Sequence, residues 1–165
     1  MPDQVRHDEV NNVTALLHFL HRCRHLALRI LRVKTRGVKV MAFNPAGELL
    51  LIRNTYGHSH LFMLPGGGIE RRESPSEAAA RELEEETGIR AERVEARSTY
   101  SSRAEGMRDT IYLFTALAAH TPKPCGIEVQ EARFFPLDSL PENVSNATLC
   151  RIAEYRGERA ISETW

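Results

Sequence analysis

Apolar residues recur along this chain at two different spacings. Gly37 to Phe43 and Glu48 to Arg53 read as strands, joined by the turn Asn44-Pro45-Ala46-Gly47. Val94 to Ser101 and Asp109 to Ala118 read as two further strands joined around Gly106. Within the second of these, Ile111-Tyr112-Leu113-Phe114 is apolar on both faces, as in a central strand covered from each side. Glu128 to Pro136 is another strand, reached through the loop Thr121-Pro122-Lys123-Pro124. Helical spacing marks residues 11 to 32, the stretch after Ser74, and Asn146 to Arg156, where Leu149 and Ile152 are expected to face inward. Several strands with a few helices predict a mixed sheet between helices.

The first helical stretch has Leu16, Leu17, Leu20, Cys23, Ala27, Ile30 and Leu31 on one side, and His18, His21, Arg22, His25, Arg29 and Arg32 on the other. Such a helix packs on the domain or on a partner, with its basic residues solvated. A basic amphipathic helix can also lie on an anionic membrane surface. A histidine metal site is the weakest of the three readings, because no carboxylate or cysteine on that face completes it. The expected organisation is an N-terminal tail and amphipathic helix over residues 1–35, followed by one domain over 36–165.

Composition narrows the class. The 165 residues suit a single domain with a sizeable core, and 42% hydrophobic with 27% charged is ordinary for a soluble protein. Lys+Arg and Asp+Glu both number 22, so no net field steers the chain toward nucleic acid. Cys23, Cys125 and Cys150 are scattered without metal-type spacing, which suggests reduced thiols in a cytoplasmic compartment. No stretch is long and apolar enough to span a membrane, and no signal peptide is evident.

The helix after Ser74 carries the chemistry. Ser74 serves as N-cap, Pro75 takes the first helical position and Glu77 closes a capping box. Gly88 suits the left-handed C-terminal position, and Ile89 can fold back onto the last turn. Glu82, Glu85 and Glu86 would stand about one turn apart on one face. Together with Glu73 they are four like charges, unfavourable unless a cation sits among them. Oxygen-only ligands suit a hard ion, so Mg2+ or Mn2+ is expected and zinc is disfavoured. In front lies Leu64-Pro65-Gly66-Gly67-Gly68, a loop bare of side chains for three residues, which lets backbone groups approach a ligand or ion. An acidic helix alone is commonly a solvated face, and a glycine triplet alone is commonly a turn. Their fixed spacing is what sets this stretch apart.

Gly67, Glu73, Arg81-Glu82-Leu83, Glu85-Glu86 and Gly88-Ile89 together resemble the Nudix box, GX5EX7REUXEEXGU with U aliphatic, and meet every specified position. Phe62-Met63-Leu64-Pro65-Gly66-Gly67 is similar to the aromatic-x-Leu-Pro-Gly-Gly lead-in of that family, and Glu131 to Pro141 to its closing strand and short helix. The resemblance covers residues 36 to 157 and implies the Nudix α/β/α sandwich. It also implies hydrolysis of a diphosphate bond in a nucleoside diphosphate-linked substrate.

Carried over by position, the resemblance implies metal ligation by Glu82, Glu85, Glu86 and the Gly66 carbonyl. Glu73 and Arg81 would stand behind them, with the arginine fixing carboxylate orientation. Arg81 also reads as a helical ion pair with Glu77 or Glu85. Some members take their general base from a late-loop glutamate; Glu128, six residues before Phe134, best matches that placement, with Glu131 in reserve and Glu82 as a third candidate. Both late glutamates also read as exposed strand-edge carboxylates. Arg53, at the end of the second strand, is a candidate for the substrate phosphates.

Substrate markers of the family are missing. No proline follows Ile89 before Pro122, as the ADP-ribose group would require, and neither Tyr100 nor Tyr112 falls where the diadenosine polyphosphate group has its tyrosine. Nucleoside triphosphates, including damaged ones, and nucleotide sugars are left. Tyr56, Phe62, Tyr100 and Tyr112 are candidates for base stacking, though each also reads as structural. The alternative is a non-catalytic Nudix domain that senses a nucleotide or binds a partner; degenerate members lose box glutamates, and this chain retains all of them. Homodimerisation is common in the family and could use the apolar side of residues 11–32.

Overall fold

The computed structural model describes residues 34–55, 57–91, 93–102, 108–124 and 128–165. The stretch 11–32, with its competing readings, and Tyr56, Cys23 and Cys125 lie outside the described residues. In chain order the elements are β1 (Lys34–Phe43), β2 (Leu49–Asn54), α1 (Pro75–Thr87), β3 (Val94–Ser102), β4 (Arg108–Leu117), β5 (Val129–Phe135) and α2 (Asn146–Tyr155). They form one five-stranded sheet in the order β3-β4-β1-β2-β5. β1 and β4 run parallel, and the other neighbours are antiparallel. The expected mixed sheet is therefore present, with β4 in its interior.

Alternation along the strands builds two cores, one on each face. Val38, Val40, Ala42, Leu50, Phe114 and Ala116 meet Ala78, Ala79 and Leu83 of α1, with Ile89 folded back among them. Met41, Leu49, Leu51, Leu113 and Tyr100 face the other way and meet Ile152 of α2. α2 departs from its expected facing. Ile152 is buried but Leu149 is 41% exposed, and the inward positions are taken by Thr148 and Arg151. Thr148 turns inward because its hydroxyl accepts from the Leu64 amide, while Arg151 meets Glu154 and two aromatic rings.

One irregularity of the sheet positions the site. β1 and β2 pair only at Phe43↔Leu49, then splay apart. The chain before α1 fills the gap: Met63 pairs with Ile52 of β2, and the glycine loop then crosses to β1. There the Val40 and Val38 amides donate to the carbonyls of Pro65 (3.0 Å) and Gly67 (2.9 Å). The glycine loop is thus knitted into the sheet rather than left as a free turn.

Candidate active site

α1 begins and ends as its sequence dictates. The Ser74 hydroxyl accepts from the Glu77 amide while the Glu77 carboxylate accepts from the Ser74 amide, and Gly88 closes the helix at φ 70°. This fixes the rotation of the helix, so Ala78, Ala79 and Leu83 pack down on the sheet. Glu82 and Glu86 are then carried to the side that meets the glycine loop. The Gly66 amide donates to Glu86 at 2.7 Å. A side chain at Gly67 would put its Cβ 2.6 Å from the Glu82 carboxylate, and one at Gly66 (φ 131°) would run into the Val38 carbonyl. Gly66 requires glycine both for space against backbone and for its backbone angle, while at Gly67 the space is taken by the end of a flexible glutamate side chain.

Arg81 organises the acids on the other side. Its Nε and one Nη hydrogen reach Glu73 (2.8 and 3.0 Å), and the remaining donors reach Glu82 (2.9 Å), Glu85 (3.0 Å) and the Gly68 carbonyl (2.9 Å). A guanidinium has five N–H donors, and all of them are engaged within the chain. Arg81 thus spends its donors on three carboxylates and one loop carbonyl. The ion pair with Glu85 forms as expected, whereas Glu77 is held by Ser74 instead.

The electrostatics divide the cluster. The Arg81 hydrogen bonds hold the Glu73 carboxyl below its ordinary pKa. Burial pushes Glu82 and Glu86 up, against the pull of Arg81 on Glu82 and of Lys39 on Glu86. The charges of Glu82 and Glu128 raise Glu86 further, which places Glu128 within electrostatic reach of the box. Glu131 occupies a different setting. It accepts from Arg53 at 2.8 Å, opposite it in the ladder, on the strand face that leads to Phe135 and the α2 core. The Arg53 guanidinium lies over the Phe62 ring (5.7 Å), and its buried Nε has no hydrogen-bond partner among the described residues. Of the stacking candidates, Phe62 and Tyr100 are core residues; Tyr100 donates to Glu154 at 2.7 Å.

Lys39 is the residue that sequence reasoning passed over. Its ammonium donates to the carbonyls of Gly66 (2.7 Å) and Leu64 (3.0 Å). Burial lowers its pKa, opposed by the charges of Glu86 and then Glu82. The signal was available: Lys39 sits in Val38-Lys39-Val40-Met41-Ala42, the apolar part of β1 that is covered on both faces, where packing alone gives a lysine no place.

Among the described residues no three His, Cys, Asp or Glu side chains converge to close a metal site by themselves. The donor set nevertheless fits a hard cation. Two enclosed carboxylates whose ionisation is disfavoured by burial lie against the glycine loop, and Mg2+ commonly takes one or two carboxylates and completes its shell with water and phosphate. An open depression of about 440 Å³ lies elsewhere, between Arg90, Arg93, Leu117 and His120, and no candidate site residue lines it.

The comparison with known families settles the fold family. Residues 33–151 match the NUDIX domain model. The chain belongs to the Nudix family. It is 29% identical over 119 residues to an uncharacterized Nudix hydrolase of Pseudomonas aeruginosa, covering 70% of each chain. It is 40% identical over 82 residues to the CMP-5'-(N-acetyl-N-hydroxy-3-aminopropyl)phosphonate hydrolase of Streptomyces rubellomurinus, spanning 48% of this chain but only 39% of that relative. A crystal structure of a MutT NUDIX hydrolase from Burkholderia pseudomallei superposes with a TM-score of 0.65 at 26% identity, covering 73% of this chain and 96% of that one.

Proposed function

We propose that this Nudix domain is a divalent-metal-dependent hydrolase that cleaves the diphosphate bond of a nucleoside diphosphate-linked substrate. The observation that carries the reading is the enclosure of Glu82 and Glu86 against a glycine loop whose backbone they meet directly, Glu82 at Gly67 and Glu86 at the Gly66 amide. Glu82, Glu85, Glu86 and the Gly66 carbonyl are the ligands we assign to Mg2+ or Mn2+. Held by these groups, such an ion would supply charge to offset that of the phosphate oxygens and would make nearby water more acidic. Arg81 and Glu73 keep the ligands aimed. Glu128, whose charge is felt at Glu86, is assigned as the general base that takes the proton from the attacking water. Glu131, already engaged by Arg53, is the poorer candidate. Arg53 is assigned to a substrate phosphate that would displace Glu131 from its guanidinium.

Relatives named for a CMP-linked phosphonate and for 8-oxo-dGTP support keeping both a nucleotide joined to a second group and a nucleoside triphosphate within the substrate class. The test is a screen of nucleoside triphosphates and nucleoside diphosphate-linked compounds with Mg2+ or Mn2+. Released phosphate, pyrophosphate and nucleoside monophosphate are measured. Chelator should abolish turnover, and Glu86→Gln should lower it by orders of magnitude with the fold intact. Turnover that ignores chelator, or a fully active Glu86→Gln variant, would overturn the reading.

A further inference from the structure

Arg81 neutralises one end of the acidic cluster, reaching Glu73, Glu82 and Glu85. It does not reach Glu86. The cation that faces Glu86 is Lys39, which acts across space rather than in an ion pair, since its ammonium is bonded to the carbonyls of Gly66 and Leu64. Alternation along β1 sends Val38 and Val40 to the α1 core, so Lys39 starts from the opposite face. Its four-carbon stem brings the charge back to the loop.

A structural reading is that Lys39 simply holds the loop in place. The hydrogen bonds argue against that as its main effect. Pro65 and Gly67 are bonded to β1, the Gly66 amide is bonded to Glu86 and the Leu64 amide to Thr148, so the loop is pinned four times without Lys39. What Lys39 adds is a positive charge at the one carbonyl oxygen, and beside two of the three carboxylates, Glu82 and Glu86, assigned above to the metal. Two cations drawn to the same oxygens repel each other, strongly so away from bulk water.

Building on the metal-hydrolase reading, we propose that the Lys39 ammonium is an internal counter-ion that competes with the divalent cation for this site, and that it turns onto a phosphate oxygen of the incoming substrate when metal is loaded. Binding of metal and of diphosphate is then coupled. In the absence of substrate the site holds divalent ions weakly, because Lys39 already supplies part of the charge that Glu82 and Glu86 require. A diphosphate both brings its own negative charge and gives the ammonium a new acceptor.

Mn2+ binding followed by electron paramagnetic resonance tests this, with and without a methylene-bridged, non-hydrolysable nucleoside diphosphate analogue. Lys39→Met should bind Mn2+ alone at least about tenfold more tightly than the wild type, and the analogue should tighten it further by much less. Lys39→Arg, which keeps the charge, should resemble the wild type. Lys39→Gln stands in if the methionine variant fails to fold. The wild type gives a reading free of any substitution: a slowly exchanging lysine ammonium signal in proton–nitrogen NMR should be present without metal and should shift on adding Mg2+ with the analogue. Neutral variants that bind Mn2+ no more tightly, or an ammonium signal indifferent to Mg2+ and analogue, overturn the inference. Loss of Mn2+ in Glu86→Gln without any gain in Lys39→Met defeats the role of Lys39 alone. Unchanged Mn2+ binding in Glu86→Gln defeats the metal site itself.

Discussion

Gly66 and Gly67 are neighbours that serve different ends, and substitution should separate them. An added methyl at Gly66 meets backbone and demands a left-handed angle, so Gly66→Ala should lower stability by about 2 kcal/mol or more in denaturant unfolding. At Gly67 the obstacle is the end of a flexible glutamate side chain. Gly67→Ala should therefore fold with near-normal stability while turnover falls roughly a hundredfold, because Glu82 is pushed out of position. The acids also differ in how they respond to pH. Glu73 has a folded pKa below its ordinary value of 4.5, owing to Arg81. Its contribution to stability is fully present above the ordinary value and is lost as pH falls through the lowered one. Melting temperatures of the wild type and Glu73→Gln in chelator should thus converge as the solution is acidified below about pH 4.5. Glu82 and Glu86 have the opposite sign. Their burial favours the protonated form, so the penalty is absent below the ordinary value and grows as pH rises through the raised one.

At the scale of elements, α1 and the loop before it were legible because their signals are local. A serine cap, a proline in the first turn, a reciprocal glutamate and a terminal glycine each act within a few residues, and each is found as read. Ser74→Ala should cost about 1 kcal/mol, and Gly88→Ala a similar amount through its positive φ, both measurable by urea unfolding. α2 was legible only as a helix. Its facing was misread at Leu149 because nothing in the local pattern says that Thr148 bonds the Leu64 amide or that Arg151 lies between rings. The strands were placed by hydrophobic pattern and turns, but not the splaying of β1 and β2, which depends on a third segment entering between them.

The molecule as a whole is tied together by a polar cluster far from the box in sequence. Arg151 is 2% exposed and pairs with Glu154 at 2.8 Å, and its guanidinium lies 4.1 Å over the Tyr100 ring and 5.2 Å over Trp165. Glu154 also accepts from the Tyr100 hydroxyl and the Ser162 amide. Ser101 exchanges backbone hydrogen bonds with Glu163 and Trp165, so this last segment covers the edge of β3. Breaking a buried pair strands the remaining charge, so Arg151→Ala should destabilise by about 3–5 kcal/mol. The double variant Arg151→Met with Glu154→Leu should recover part of that loss in the same unfolding assay, since it removes both charges. Among the described residues no helix is long and apolar enough to cross a membrane.

The sequence by itself determined the capped acidic helix, the bare glycine bend before it and the positions of the strands along the chain, since all of these rest on spacing within short windows. Only the tertiary structure decided which acids are enclosed, that Arg81 has no donor left, that Glu131 is claimed by Arg53, and that Lys39 enters the site. Those outcomes depend on where segments distant in sequence pack against one another, and charge and burial at a point in space are sums over all of them.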